Sequence, residues 1–211
     1  MASVQTDQAE GLRRRLAAPL PGLCTVLSAD GDAQKDALMQ RLAASMSRRG
    51  REVLLVDGDA SAGCARTLLD VAHGHASLDE ASCADAGGYR RARLGAHNDD
   101  PALAALLRQL AATQARVLVD ARLDAHGRLP LPLLADGEVV VQLSGSEASI
   151  RTAYEMLRAL KDQCARGTVS LLVTAADPAH ARRVRANLFQ AASRYLALAV
   201  RSIVPQESCH V

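Results

Sequence analysis

The 211-residue sequence predicts an α/β domain, a mostly parallel sheet flanked by helices. Short β-branched or leucine-rich runs recur along the chain, and apolar residues at helical spacing fill the intervals between them. Hydrophobic residues make up 49%, enough apolar surface for one full-sized core.

Taken in order, the strands are expected at Leu23–Ser28, Val53–Asp57, Arg91–Gly95, Val117–Ala121, Glu138–Leu143, Val169–Thr174 and Leu198–Val204. The intervening helix faces are Leu38, Leu42 and Met46, then Leu103, Leu106, Leu107 and Leu110. A third stripe runs through Ile150, Ala153, Leu157, Leu160 and Cys164, and a fourth through Ala181, Val184, Leu188, Ala191 and Tyr195. Residues 73–88 and 122–135 are poorly periodic and rich in Gly, Ala and Pro, which reads as loops with short helical pieces. No internal repeat is visible.

Residues 1–18 stand apart from this domain, which takes up 19–211. Asp7 followed by Glu10 resembles a capping box, and Pro19 and Pro21 limit the helix that it opens. Leu12 and Leu16 share one face beside Arg13, Arg14 and Arg15, while Gly11 costs about 1 kcal/mol against alanine. Such a segment is suited to folding on a partner, the alternative being a helix that rests on its own domain.

Composition narrows the function classes. A net charge of +2, no Trp and one Phe argue against a nucleic-acid surface. Cys24, Cys64, Cys83, Cys164 and Cys209 are scattered and never form C-x-x-C, which reads as reduced thiols. No apolar run is long enough to span a bilayer and residues 1–20 lack the apolar centre of a secretory signal, so a cytoplasmic protein is expected.

The turn after the first strand, Ser28-Ala-Asp30-Gly31-Asp32-Ala-Gln34-Lys35-Asp36, stands where a phosphate-binding loop would. Asp32 and Gln34 carry side chains where such a cradle needs bare backbone. Asp30, Asp32 and Asp36 would each repel a phosphate by about 4 kcal/mol at ~4 Å with an effective dielectric of ~20. Asp57, Asp59 and Asp120 at strand ends could instead form a metal or acid–base cluster. His73-Gly-His75 has metal-ligand residue types without a fixed third ligand, and Ser144-Gly-Ser146 lacks the nucleophile-elbow pattern and reads as a turn and helix cap.

The stretch DQAEGLR at residues 7–13 resembles the DQAxxLR signature of the flagellar-number regulators called FlhG or FleN, relatives of the cell-division ATPase MinD. Val53-Leu-Leu-Val-Asp57-Gly-Asp59, Val117-Leu-Val-Asp120 and Ala135-Asp-Gly-Glu-Val-Val-Val141 with Ser146–Ile150 resemble successive strand motifs of the same class. The resemblance implies a MinD/ParA-like P-loop NTPase fold whose P-loop is eroded. Against the class pattern S-G-K-G-G-V-G-K-T, Ser28, Gly31 and Lys35 remain. Asp30 replaces the lysine that crosses a nucleotide-sandwiched dimer, and Asp36 replaces the Mg²⁺-binding threonine. Gly31, Lys35, Asp36, Asp57 and Asp120 are then vestiges of a nucleotide site in a monomer, without a cofactor or a catalytic residue of its own.

What the resemblance implies for function is a regulatory adaptor of flagellum biogenesis. Asp7, Gln8, Ala9, Leu12, Arg13 and Leu16 would engage an FlhF-type GTPase and stimulate it, and that partner would recruit the chain to the cell pole. Flagellar switch or C-ring proteins, or a flagellar transcription regulator, are further partners implied. Residues 206–211 after Pro205 are too few for the lipid-gripping terminal helix of MinD relatives, so no stable membrane binding is expected. The alternatives are an ATP- and Mg²⁺-dependent monomer–dimer switch using Lys35, Asp57 and Asp120, or a scaffold of another envelope machine such as cellulose secretion.

Overall fold

A computed structural model describes residues 20–58, 65–95, 100–113, 116–164 and 167–203. The strands are β1 (Leu23–Ser28), β2 (Val53–Asp57), β3 (Ser82–Ala84), β4 (Arg90–Arg93), β5 (Arg116–Asp120), β6 (Glu138–Leu143), β7 (Thr168–Val173) and β8 (Val200–Ile203). They form one sheet in the order β3-β4-β2-β5-β1-β6-β7-β8, parallel except where β3 runs against β4. The helices are α1 (Asp32–Arg48), α2 (Leu68–Ala72), α3 (Pro101–Ala112), α4 (Glu147–Leu160) and α5 (Pro178–Ala191).

Buried strands in a parallel sheet need apolar side chains on both faces. In β2, Leu54 and Val56 join the larger cluster with Leu103 and Leu107 of α3, Leu157 of α4 and Leu188 of α5. Val53 and Leu55 join the smaller one around Met39 and Ala43 of α1. Parallel crossovers bring the C-terminal end of every strand but β3, and the turn that follows it, to one rim of the sheet. None of the described helices is long and apolar enough to cross a membrane.

The expected strands are present, with ends shifted by a residue or two; Val204 lies outside the described residues. Four details differ from the sequence reading. β3 and its hairpin to β4 fall inside a stretch that reads as loop, because a three-residue edge strand shows no usable alternation. The short helix α2 likewise has no counterpart in the apolar periodicity. On α1 the deepest seam is Met39 and Ala43, with Leu38, Leu42 and Met46 packing partly buried on its flanks. Tyr195 leaves the α5 stripe, because α5 passes into a π-helical turn at Ala192–Leu196. The wider turn puts Ala192 in the core and Tyr195 outside.

Candidate functional site

The rim of the sheet collects the polar residues. β1 ends at Ser28, and Ala29 N–H still donates to the Gln142 carbonyl of β6 at 2.9 Å. Asp30 N–H then donates to Ser28 Oγ at 3.1 Å, and Gly31 turns the chain at φ 92° and ψ 179°. A Cβ at Gly31 would meet nothing within 4 Å, so backbone conformation, not space, selects glycine there. Helix α1 begins immediately at Asp32, so Asp32–Gln34, which align with a phosphate cradle, form its first turn. Among the described residues no side chain caps the start of this helix.

Asp30, one of the three carboxylates expected at the loop, is engaged by side chains of the sheet and the turn after β6. Asp30 accepts from Ser144 Oγ at 2.7 Å and from Gln142 Nε2 at 3.2 Å. Gln142 is 1% exposed; its amide oxygen accepts from Ser28 Oγ at 2.6 Å and its Nε2 also reaches Thr174 Oγ1 at 3.2 Å. The carboxylate expected to repel phosphate is satisfied by neutral donors of β6 and the turn after it. Asp36 is exposed on α1. Asp32's side chain and the whole of Asp59 lie outside the described residues.

Lys35 is turned inward as well. It is 2% exposed and forms an ion pair with Asp120 Oδ1 at the end of β5, while its Nζ also donates to the Ala121 carbonyl at 3.4 Å. Burial raises the Asp120 carboxyl to about 6, with Lys35 pulling it down and the charges of Asp36 and Asp57 adding to the rise. Asp57 is the register partner of Asp120 on β2. Gly58 follows it so closely that its N–H donates to the Asp120 carbonyl at 2.8 Å, and a Cβ there would sit 2.3 Å from that oxygen.

The structure therefore brings Gly31, Lys35, Asp36, Asp57 and Asp120 to one rim. It joins Ser28 to Gln142, Ser144 and Thr174, the last three of which the sequence reading does not place at the rim. The available signal is a glutamine that follows the apolar run Val139–Val141 near the end of β6. Elsewhere, His73 Nε2 lies 2.8 Å from Asp100 Oδ2 and its ring stacks on His75. Among the described residues no group of three or more His, Cys, Asp or Glu could hold a metal ion. The Cys24 and Cys164 thiols are both pushed up to about 12 by burial, which keeps them protonated. Asp7, Gln8, Ala9, Leu12, Arg13 and Leu16 lie outside the described residues.

No protein-family model matches the sequence. No curated protein matches it at a significant level either. Solved structures do match in shape. MinD cell division protein of Aquifex aeolicus superposes with a TM-score of 0.59 at 16% identity, over 88% of this chain and 83% of that one. A ParA family ATPase from Chlorobium tepidum TLS gives 0.57 at 17%, over 89% and 85%. Cobyrinic acid a,c-diamide synthase from Mycobacterium smegmatis, solved with bound ADP and magnesium, gives 0.54 at 18%, over 82% and 81%. The chain has the fold of the MinD and ParA ATPases.

The residues at the rim fit a magnesium nucleotide poorly. The cradle segment is wound into α1, and the lysine that would meet phosphate is held by an internal carboxylate.

Proposed function

We propose that this chain is a regulatory adaptor of flagellum number or placement, with ATPase activity lost, that stimulates an FlhF-type GTPase through residues 7–13. The observation that carries the loss is Lys35, buried against Asp120 where a nucleotide enzyme needs its charge on phosphate. The fold supports descent from a nucleotide switch, and the DQAEGLR segment supplies the choice of partner. Gln8 would order a catalytic water and Arg13 would stabilise charge developing on the phosphates, while Leu12 and Leu16 anchor the helix. One observation favours the competing ATP switch: Asp57 and Asp120 face each other across adjacent strand ends beside Lys35.

Two measurements test the proposal together. Calorimetry with Mg²⁺-ATP is expected to give no binding at physiological concentration, and light scattering no dimer on adding ATP; micromolar affinity would install the switch instead. A peptide of residues 1–20 is expected to accelerate GTP hydrolysis by the cognate FlhF. Gln8→Ala or Arg13→Ala should remove most of that acceleration, and Arg15→Ala little. An inert peptide beside a stimulating full-length chain would move the activity elsewhere on the domain.

A further inference from the structure

A parallel sheet needs cover on both faces, and the described helices supply it unevenly. α2, α3, α4 and α5 pack on the face that holds Val139, Val141, Val169 and Leu171. Among the described helices only α1 packs on the other face, lying over β1, β2 and β5. Beyond β1 that second face continues across β6, β7 and β8. Register and the alternation of side chains place Glu138, Val140 and Gln142 on it, beside Ser170 and Leu172 and then Arg201 and Ile203.

The apolar side chains of this area are nevertheless shielded. Val140 is 4% exposed and Leu172 5%, and Ile203 is partly buried against them. Neighbouring strands shield a side chain from its flanks and leave its top open, and no described helix packs closely on β7 or β8 from this side. The area is also charged at two places. Glu138 stands at the foot of β6, the end opposite the rim, where it accepts from Ser170 Oγ at 2.8 Å. Arg201 is exposed on β8.

We propose that residues 1–18 of this chain are the cover, docked on the β6–β8 part of this face with Leu12 and Leu16 against Val140, Leu172 and Ile203. The point of entry fits. Leu20 N–H donates to the Asp136 carbonyl at 3.1 Å, so the segment ahead of it arrives at the foot of β6, two residues from Glu138. Its reach fits as well, since a helix over residues 7–16 is about 15 Å long and the centres of three adjacent strands span about 10 Å. The charges run in the matching order. Arg13, Arg14 and Arg15, nearer the entry, come to Glu138, and Asp7 and Glu10, farther out, come to Arg201. Residues 204–211 are the poorer cover, because they leave β8 at its rim end and hold no Leu, Ile or Phe. The docking does not depend on the GTPase reading. One consequence does rest on it: a GTPase that uses Leu12 and Leu16 must first draw them off this face.

Hydrogen exchange on the full chain tests the docking without any GTPase. Amides of residues 8–16 should exchange at least roughly tenfold more slowly than in a free peptide of residues 1–20. Ile203→Glu should bring them to the peptide's rate, whereas Phe189→Glu, on α5 across the sheet, should leave the protection in place. A second variant serves if Ile203→Glu does not fold: Leu12→Asp with Leu16→Asp alters no described residue, and should raise the fluorescence of an apolar dye as the face opens. Peptide-like exchange in the wild-type chain would overturn the proposal, and so would protection that survives Ile203→Glu. A dye signal that rises on removing residues 204–211 and not in the Leu12 and Leu16 variant would give the face to the other terminus. Protection that fades on dilution as a dimer dissociates would give it to a second copy, and either result overturns the assignment.

Discussion

Helices α1 and α4 start on the same rim, and the chain reaches each through a glycine at positive φ, Gly31 at 92° and Gly145 at 91°. Only the second start is closed by its own side chains. Ser146 Oγ accepts from Ser149 N–H at 3.2 Å, Ser149 Oγ accepts from Ser144 N–H at 3.1 Å, and the Gly145 carbonyl meets His180 Nε2 at 2.9 Å. At Gly31 the described residues provide no side-chain cap, and none of them lies within 4 Å of the place a Cβ would fill. A helix start that serves the fold satisfies its amides internally; one shaped for an anion leaves them outward. The start of α1 is thus the less closed of the two, and Lys35 in its first turns is held by Asp120.

Substitution of Lys35 should change the molecule most. Lys35→Met leaves Asp120 buried without its partner, and urea denaturation at neutral pH should show a loss of about 3–5 kcal/mol. The loss should depend on pH in a definite direction. The Asp120 carboxyl moves from 3.8 to about 6 on folding, so the folded chain binds that proton more tightly. Its contribution to stability therefore declines as pH rises through that interval. Lys35 restrains the rise, so in the variant the decline should continue to higher pH, and the deficit against wild type should shrink toward pH ~4. A deficit that is flat with pH would mean the lysine contributes packing alone.

Next in size is Gly31→Ala, expected to cost about 1–3 kcal/mol, because alanine has the room and not the conformation. A neutral result would show that the starts of α1 and α4 differ less than their hydrogen bonding suggests. Ser146→Ala should cost about 1 kcal/mol through the lost cap. In the same denaturation series, a Ser146 effect larger than that at Gly31 would reverse the contrast between a capped helix start and a conformationally strained one.

Most of the sheet was legible because its strands are buried on both faces and read as unbroken apolar runs, as in Val139–Val141 or Leu171–Val173. Ser82–Ala84 was not, since an edge strand of small residues needs only its neighbour's backbone. The rim was legible as a set of positions: Gly31, Lys35, Asp57 and Asp120 follow strands, and the fold delivers strand ends together. Their partners were not. Whether Lys35 faces a phosphate or Asp120 depends on α1 starting at Asp32, and Asp30 finds Gln142 and Ser144, far along the chain, through a register that spacing does not reveal.

The strand order also dictates when this protein can assemble. β1 lies at the centre of the sheet, yet Leu23 pairs with Val117, and Cys24 with Glu138. On the ribosome the first strand must wait, unpaired on both edges, until β5 and then β6 have been synthesised. Contacts so distant in sequence place the chain among slow folders, in which long-range closure sets the rate. During that interval the segment ahead of β1, with DQAEGLR in it, is already made and tethered to a domain that does not yet exist. A nascent chain can therefore display the segment ahead of β1 before it has a fold.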